Sequence, residues 1–338
     1  MEINKLQHPN SIWTWKNSSR NQKASLWLPY FSRVTKLKKD RYSFVYNGGQ
    51  ITAHLKKIDF IMLYGASGDL PVTFLDALNK HKIPLMIHRR NLSAPYMFIP
   101  TYLADRKDIL TAQIIHRENQ IKAVYISRTI LWARFNSMSS VIPVSPHTYR
   151  KLSSTRSIKE LRILEAQITK RFWHKYYKEL GLEGTVRRDP YAPVNQALNA
   201  GSLFLSGIIL RWVLYHRLSP LHGFLHIQSN YHSLVYDLME PFRYIIERAV
   251  KHACLEADES SSLVAYTIEN MKVLLGESVY VPATQQEVHR KSILHGIVLA
   301  LRAYLIGDMK RLIVPVEGLK KGGRPPKVSY KLPGQIKN

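Results

Sequence analysis

The stretch TAQIIHRENQIKAVYISRTILWARF, residues 111–135, decides how the chain divides. Its apolar residues recur with a period of about 3.6, which predicts one long helix. The chain before it has the pattern of strands, and the chain after it has the pattern of helices. The sequence therefore predicts an α+β protein, with a small β-rich N-terminal domain over 1–100 and a larger all-α domain over 101–315.

Several short segments support strands in the first ninety residues. They are rich in aromatic or β-branched residues and are separated by turn signals such as Asn47-Gly48-Gly49. The segments are ASLWLPYF, RYSFVYNG, GQITAHL, KIDFIMLYG and PLMIH. Between the last two, PVTFLDALNKHKI has helical spacing and predicts a crossover helix.

Two segments break the helical pattern that follows. Residues 141–157, which contain IPVSPHTYRKLSSTRS, are polar and carry two prolines, so they predict a linker. Residues 316–338 are basic and rich in Gly and Pro, which predicts a flexible tail. The central part of this tail, residues 320–327, contains the tripeptide Gly-Arg-Pro and is also a candidate for contact with a DNA minor groove.

Charge limits the choice of partner. The chain has 338 residues, with 49 Lys and Arg against 24 Asp and Glu, for a net charge of +25 and a pI of about 10.0. An excess spread along the whole chain favours a polyanion such as double-stranded DNA, because neutralised phosphates release counterions. An enzyme that is merely basic is the alternative.

The apolar segments of the sequence do not predict a membrane-spanning helix. The longest, 202–215 and 293–307, are short for a bilayer and each contains an arginine, so they predict buried helices. The first ten residues have no apolar signal-peptide core, and we expect a cytoplasmic protein of prokaryotic type. Cys254, the only cysteine, excludes an internal disulfide and a multi-cysteine zinc site.

One acid falls on an apolar helix stripe. Ser157 and Glu160 form a capping-box pattern that predicts a helix start. Leu161, Glu165 and Ile168 then follow the spacing of one helix face. A carboxylate on a core-facing stripe is costly unless it is paired, protonated or bound to a metal. A Glu whose side chain extends to a nearby Lys or Arg remains the alternative.

A second polar group interrupts the apolar run LHGFLHIQSNYHSLVYDLMEPFR, residues 221–243. Asp237 and Glu240 are three residues apart, so they share a helix face. Pro241 lacks a backbone N–H and predicts a kink beside them. His226 lies about seven residues before the expected helix start, in the preceding loop.

These side chains suggest an open metal site. Glu165, His226 and Glu240 would supply two carboxylates and one imidazole, a set suited to Mn²⁺ or Mg²⁺ holding a phosphate. A buried acid pair satisfied by Arg243 fits the same spacing. The chain has no phosphate-binding loop and no dinucleotide-binding glycine pattern, so we expect no nucleotide cofactor.

Four segments, in order, resemble one known family. They are residues 58–87, the acidic segment LEAQITKRFW, the helical run 193–226, and SLVYDLMEPFR. Together they resemble the CRISPR-associated adaptation integrases, the Cas-one endonucleases. Two positions depart from that family's pattern: no Tyr stands near Gly201, and Arg217-Leu218-Ser219-Pro220 replaces the usual Gly-Leu-Asp-Pro.

The resemblance implies a specific chemistry. Such proteins form a homodimer through the β domain, bind a small dimeric CRISPR-associated partner (Cas-two), and insert short DNA fragments into the CRISPR array by attack of a 3′-hydroxyl on a phosphodiester. The metal ligands would be Glu165, His226 and Glu240, with Asp237 as a supporting catalytic acid that orients a ligand or accepts a proton.

Other functions remain open. The same chemistry would serve a transposon-borne recombinase, and a catalytically idle DNA-binding scaffold is a third possibility. The candidate DNA-binding residues outside the tail are Arg187, Arg188, Arg243 and Arg248.

Overall fold

The chain divides into two compact units, Met1–Ala104 and Asp105–Asn338, close to the expected domain boundary. This computed structural model describes residues 23–89, 95–100, 108–256, 262–320 and 328–336. The architecture is mixed α and β, with strands first and mostly helices after them, as predicted.

The N-terminal unit is built on a four-stranded sheet. Its strands lie in the order β1 (Ala24–Pro29), β5 (Ile58–Tyr64), β6 (Leu85–His88) and β7 (Tyr96–Phe98). The first three are parallel, and β7 is antiparallel to β6. Helix α1 (Val72–His81) connects β5 to β6 and buries Phe74 and Leu78, which confirms the predicted crossover helix.

A second sheet covers the same core. It is antiparallel and contains β2 (Arg33–Lys38), β3 (Arg41–Tyr46) and β4 (Gly49–His54). Phe44 of β3 and Leu26 of β1 belong to the shared buried cluster. The sequence pattern missed β2 and β7: in β2 only Val34 is buried, so no alternation is visible.

The C-terminal unit is mostly helical. Its helices are α2 (Ile109–Glu118), α3 (Gln120–Met138), α4 (Pro146–Ser154), α5 (Ile158–Glu179), α6 (Pro193–Tyr215), α7 (Ser233–Met239), α8 (Arg243–Glu256), α9 (Leu263–Gly276) and α10 (Lys291–Leu305). One antiparallel hairpin, β8 (Ser278–Val281) with β9 (Gln286–His289), also belongs to this unit, so it is not all-α.

The long helix expected over 111–135 is two helices. Asn119 adopts an extended backbone between α2 and α3, and its side chain accepts a hydrogen bond from Lys122 N at 3.0 Å. Asparagine favours such caps because its side chain competes with helical backbone bonding. The periodicity continues across the break, which is why it predicted a single element.

The linker expected over 141–157 contains helix α4. Ser145 caps this helix by accepting from Thr148 N, and Pro146 occupies its first turn. Proline is well tolerated there because its missing N–H would have no helical partner. Reading the prolines as linker signals was therefore wrong for 146–154.

The tail expected over 316–338 is partly packed. Leu332 is buried, its N–H donates to Gln286 Oε1 at 2.8 Å, and Gln335 forms an isolated bridge with Val288 of β9. The second half of the tail is therefore held against the C-terminal unit, since its few apolar residues find a core contact. Most of the Gly-Arg-Pro segment, 321–327, lies outside the described residues.

Helix α6 is long enough to cross a membrane by length and composition, unlike the shorter 202–215 considered from sequence. In its most apolar window, however, 72% of the residues are buried inside the protein. Core helices of globular units pass the same test, and the buried position agrees with the predicted buried helix.

The packing of α6 on α10 contains a partly buried imidazole, that of His295. His295 stacks on Trp212 with ring centroids 3.6 Å apart, and its Nε2 lies 2.7 Å from His216 Nε2. Burial, aided by the charges of His216 and Arg211, lowers the pKa of His295 to about 2.

We expect acid to destabilise the fold through His295. Below a pH of about 6.5 the unfolded chain gains a proton that the folded chain does not, so stability falls as pH drops from there towards 2. The loss is about 2 kcal/mol at pH 5. Urea unfolding at pH 7 and pH 5 should show that extra loss in the wild type and not in His295→Gln. Exposed His252→Gln is the control, and equal losses in all three proteins would contradict the prediction.

Candidate functional site

The predicted polar residues come from four parts of the C-terminal unit. Glu165 lies on α5, His226 on the segment between α6 and α7, Asp237 on α7, and Glu240 opens a 3-10 turn over Glu240–Phe242. A 3-10 turn interrupts the α-helix at Pro241, where a kink was expected, because α7 ends at Met239 and α8 begins at Arg243. Within the 3-10 turn, the Asp237 carbonyl is not left without a partner, since it accepts from Glu240 N.

Asp237 holds the loop that carries His226. Its carboxylate is fully buried, and Oδ2 accepts from Phe224 N at 2.6 Å and from Leu225 N at 3.0 Å. Oδ1 accepts from His226 N at 3.0 Å. Gly223 permits this approach, because a Cβ there would lie 2.9 Å from Asp237 Oδ2. Asp237 is thus a positioning residue whose oxygens are engaged.

The His226 ring is oriented by the same carboxylate. Its Nδ1 donates to Asp237 Oδ1 at 2.7 Å, which leaves Nε2 as the ring nitrogen able to bind a ligand. Burial opposes protonation of His226, but the hydrogen bond and the charges of Asp237, Glu240 and Glu165 outweigh it and raise its pKa.

Glu240 is buried and held by two guanidinium groups. Arg243 Nε donates to its Oε1 at 2.8 Å, and Arg134 Nε lies 3.6 Å from Oε2. Burial favours the neutral acid, but the charges of Arg243 and Arg134 prevail and lower the pKa of Glu240. The alternative of an acid satisfied by Arg243 is therefore part of the arrangement.

Glu165 is the least compensated acid of the group. It is half-buried, and its Oε1 accepts from Thr169 Oγ1 at 3.2 Å. Burial, and then the negative charge of Glu240, raise the pKa of Glu165. A carboxylate repelled by a second carboxylate favours a bound cation between them.

The arrangement brings these groups together electrostatically without closing a coordination shell. Within the described ranges, no three His, Cys, Asp or Glu side chains are close enough to hold a metal ion. The donor chemistry nevertheless suits a hard divalent cation: two carboxylates and one imidazole whose other nitrogen is fixed by a carboxylate.

Two charged residues that the sequence did not single out complete the surroundings. Arg134 of α3 donates from Nη1 to Glu247 Oε2 at 3.2 Å and from Nη2 to Oε1 at 2.5 Å. Its guanidinium also lies 5.3 Å from the Phe172 ring centroid. Glu247 follows Glu240 by seven residues, which places the two acids on the same helix face. Extending the helical spacing past Pro241 would therefore have predicted Glu247 as a further buried acid.

Similarity to known proteins identifies the family. The family model for CRISPR associated protein Cas1 matches residues 30–278, which include all four predicted site residues. The chain belongs to the Cas1 family.

Two curated relatives of this Cas1 chain match over shorter segments. The CRISPR-associated endonuclease Cas1 of Korarchaeum cryptofilum is 45% identical over 74 residues, 22% of this chain and 20% of that protein. The CRISPR-associated endonuclease Cas1 2 of Pyrobaculum aerophilum is 29% identical over 116 residues, 34% of this chain and 39% of that protein. The alignments thus span well under half the length of either relative.

Solved structures resemble this Cas1 chain over most of its length. A casposase bound to integration product has a TM-score of 0.72 and 21% identity, covering 85% of this chain and 92% of that one. A Cas1 protein from Thermotoga maritima has 0.71 and 19%, covering 88% and 99%. A Cas6-RT-Cas1–Cas2 complex has 0.71 and 15%, covering 91% and 37%. At these identities the likeness is one of fold.

The candidate DNA-binding residues of the Cas1 chain are not equivalent. Arg243 holds Glu240, and half-buried Arg187 donates to Asn199 Oδ1 at 2.8 Å. Arg188 is exposed, and exposed Arg248 lies 3.5 Å from Glu317. Arg243 and Arg187 are therefore held by internal hydrogen bonds, whereas Arg188 and Arg248 have exposed side chains.

Proposed function

We propose that this chain is a metal-dependent DNA integrase and endonuclease of CRISPR adaptation. It would insert short DNA fragments into the CRISPR array by attack of a 3′-hydroxyl on a target phosphodiester. The observation that carries the proposal is a histidine oriented by a buried carboxylate, His226 on Asp237, inside the segment that is matched by the family and also contains Glu165 and Glu240.

The three side chains divide the work of holding a cation. Glu165 and Glu240 supply negative charge, and Glu240 stays ionised because Arg243 and Arg134 lie against it. His226 would bind through Nε2 because Asp237 occupies Nδ1. Mn²⁺ or Mg²⁺ bound there would neutralise charge developing on the reacting phosphate and assist loss of the proton from the attacking hydroxyl.

The joining step exchanges one phosphate ester bond for another and involves no change of oxidation state. The incoming 3′-oxygen forms a bond to phosphorus and loses a proton, while the target strand's 3′-oxygen leaves and gains one. Water in place of the attacking hydroxyl would give strand cleavage at the same site. Asp237 would contribute by fixing His226 and would take no part in proton transfer, since both its oxygens accept hydrogen bonds.

Double-stranded DNA, a second copy of the chain and a small dimeric Cas-two protein are the proposed partners. The net charge of +25 favours a DNA partner. Fold similarity to a structure described as a Cas1–Cas2 complex supports the Cas-two partner. The β-rich N-terminal unit is the proposed homodimer contact.

A transposon-borne recombinase is the second candidate function. The fold similarity to a casposase bound to integration product favours it specifically. Both candidates would use the same acids and differ in the DNA they accept. A recombinase of that kind would require the ends of its own element on the donor, whereas an adaptation integrase would accept short fragments of varied sequence.

Strand transfer tests the proposal. A labelled donor duplex and an array target are incubated with the chain, alone and with its Cas-two partner, in Mn²⁺, Mg²⁺ or EDTA. We expect joined product only with a divalent metal and only from a donor with a free 3′-hydroxyl, not from a dideoxy-terminated one. Random and element-end donors then separate the two candidates.

An idle scaffold would behave differently. It would bind both donors without joining them, and its melting temperature would not change across a manganese titration, since a ligand stabilises only a fold that binds it. That pair of results, obtained with the partner present, would overturn the proposed activity.

A further inference from the structure

A cavity of about 470 Å³ lies in the C-terminal unit between α3, α8 and the segment that follows α10. This volume is in the range of about 300–1,000 Å³ that is usual for small-molecule sites. It is lined by side chains other than Glu165, His226, Asp237 and Glu240. Pro241, which follows Glu240, is among the lining residues, so the cavity adjoins the acidic site without including its four proposed side chains.

One wall of the cavity is aromatic. Trp132 of α3 is 42% exposed, and its ring packs on Tyr149 at a centroid distance of 4.7 Å. The Tyr149 hydroxyl donates to Asn136 Oδ1 at 2.6 Å, which fixes the support behind the indole. A large aromatic ring that is both exposed and held in place is suited to stacking on a flat ligand.

Two guanidinium groups flank the aromatic wall. Arg128 Nη1 donates to the Ser153 carbonyl at 2.6 Å, a neutral acceptor that leaves its charge uncompensated by that bond. Arg248 lies over the Tyr244 ring at 4.9 Å from its centroid. The cavity thus presents positive charge on both α3 and α8, and Glu317 adds one carboxylate to its lining.

The contact between Arg248 and Glu317 can be given up at little cost. Its N–O distance is 3.5 Å, whereas Glu317 Oε2 accepts from Arg290 Nε at 2.7 Å. Glu317 therefore keeps a closer cationic partner if Arg248 turns towards an anion. The Arg248 side chain is 46% exposed, so the movement meets solvent rather than packed core.

We propose that this cavity binds a nucleotide unit, with the base stacked on Trp132 and the phosphate paired with Arg248 and Arg128. Exposed aromatic rings next to arginines are the means by which proteins hold unpaired bases and their phosphates. The inference goes beyond the proposed function, because it uses neither the acids nor a metal. The unit is either a free nucleotide or part of a single DNA strand.

Binding is tested by calorimetry on the full chain in EDTA. The probes are thymidine 5′-monophosphate, a short single-stranded oligothymidylate, and an abasic strand of the same length and charge. We expect a base-containing probe to bind, and the oligothymidylate to bind about tenfold more tightly than the abasic strand if the unit belongs to a strand. Binding of the mononucleotide assigns the site to a free nucleotide instead.

Substitutions locate the binding. Trp132→Leu and Arg248→Gln should each raise the Kd about tenfold, and Trp132→Phe should retain most of the affinity. Lys251→Gln is the matched control, because Lys251 lies on the same helix, is also 46% exposed and also pairs with a glutamate, at 3.1 Å. Thermal melts verify that each variant is folded.

Three results would overturn the proposal: no binding of any base-containing probe, equal affinity for the oligothymidylate and the abasic strand together with no binding of the mononucleotide, or equal losses in Arg248→Gln and Lys251→Gln. The measurement is repeated on Glu165→Gln, whose cavity is intact. If Glu165→Gln binds the probe but performs no strand transfer, the nucleotide site is supported independently of the integrase activity. If the wild type performs strand transfer but shows no base-dependent binding, the proposed nucleotide site is wrong and the proposed integrase activity stands.

Discussion

Glu165→Gln is expected to lower the rate of DNA joining by about 100-fold or more, while the affinity for DNA stays within about twofold of the wild type. Glutamine keeps the size of the side chain and the hydrogen bond with Thr169, but removes the charge. The raised pKa of Glu165, caused by burial and by Glu240, indicates a carboxylate that a cation would stabilise in its ionised form. Strand transfer under single-turnover conditions measures the loss directly.

Glu160→Gln is the matched control for this experiment. Glu160 lies five residues earlier on α5 and is exposed, and glutamine is as suitable as glutamate at this capping position. Its rate should equal that of the wild type. Joining by Glu165→Gln at a rate close to that of Glu160→Gln would remove Glu165 from the proposed site and leave the family assignment unchanged.

Local patterns predicted the elements that bury their own apolar face. Strand β5 and helix α1 followed from short apolar runs and helical spacing, because each element contributes several residues to one core. Strand β2 did not follow, since its place depends on pairing with β3 and little on its own burial. The packed end of the chain was missed for a similar reason: Leu332 is one apolar residue in a basic, proline-rich segment.

The candidate site shows the same division. An acid on an apolar stripe and an acid pair beside a proline were visible as costly features of the sequence. The compensation was not visible, because Arg134 and Glu247 are 113 positions apart and meet only in the folded chain. The role of Asp237 also required the fold, since its partners are backbone N–H groups of a loop with no sequence signature.

Arg134→Met is expected to destabilise the C-terminal unit by about 3–5 kcal/mol, because it leaves the buried carboxylate of Glu247 without the cation that donates to it. The Arg134 side chain is 3% exposed, and its partners Glu240 and Glu247 are each 6% exposed. Glu240 keeps Arg243 after the substitution, whereas Glu247 loses both hydrogen bonds that Arg134 donates. Urea unfolding, followed by circular dichroism, measures the change in the free energy of unfolding.

A double-mutant cycle separates the stranded charge from lost packing. Arg134→Met combined with Glu247→Met should recover much of the lost stability, since apolar groups of similar volume tolerate burial better than one unpaired charge. Arg171→Met, at an exposed position of α5, makes the same side-chain change and should stay within about 0.5 kcal/mol of the wild type. If the double variant is as unstable as the sum of the two single variants, the Arg134–Glu247 pair contributes no coupling, and the stability of the site rests on packing around Phe172 instead.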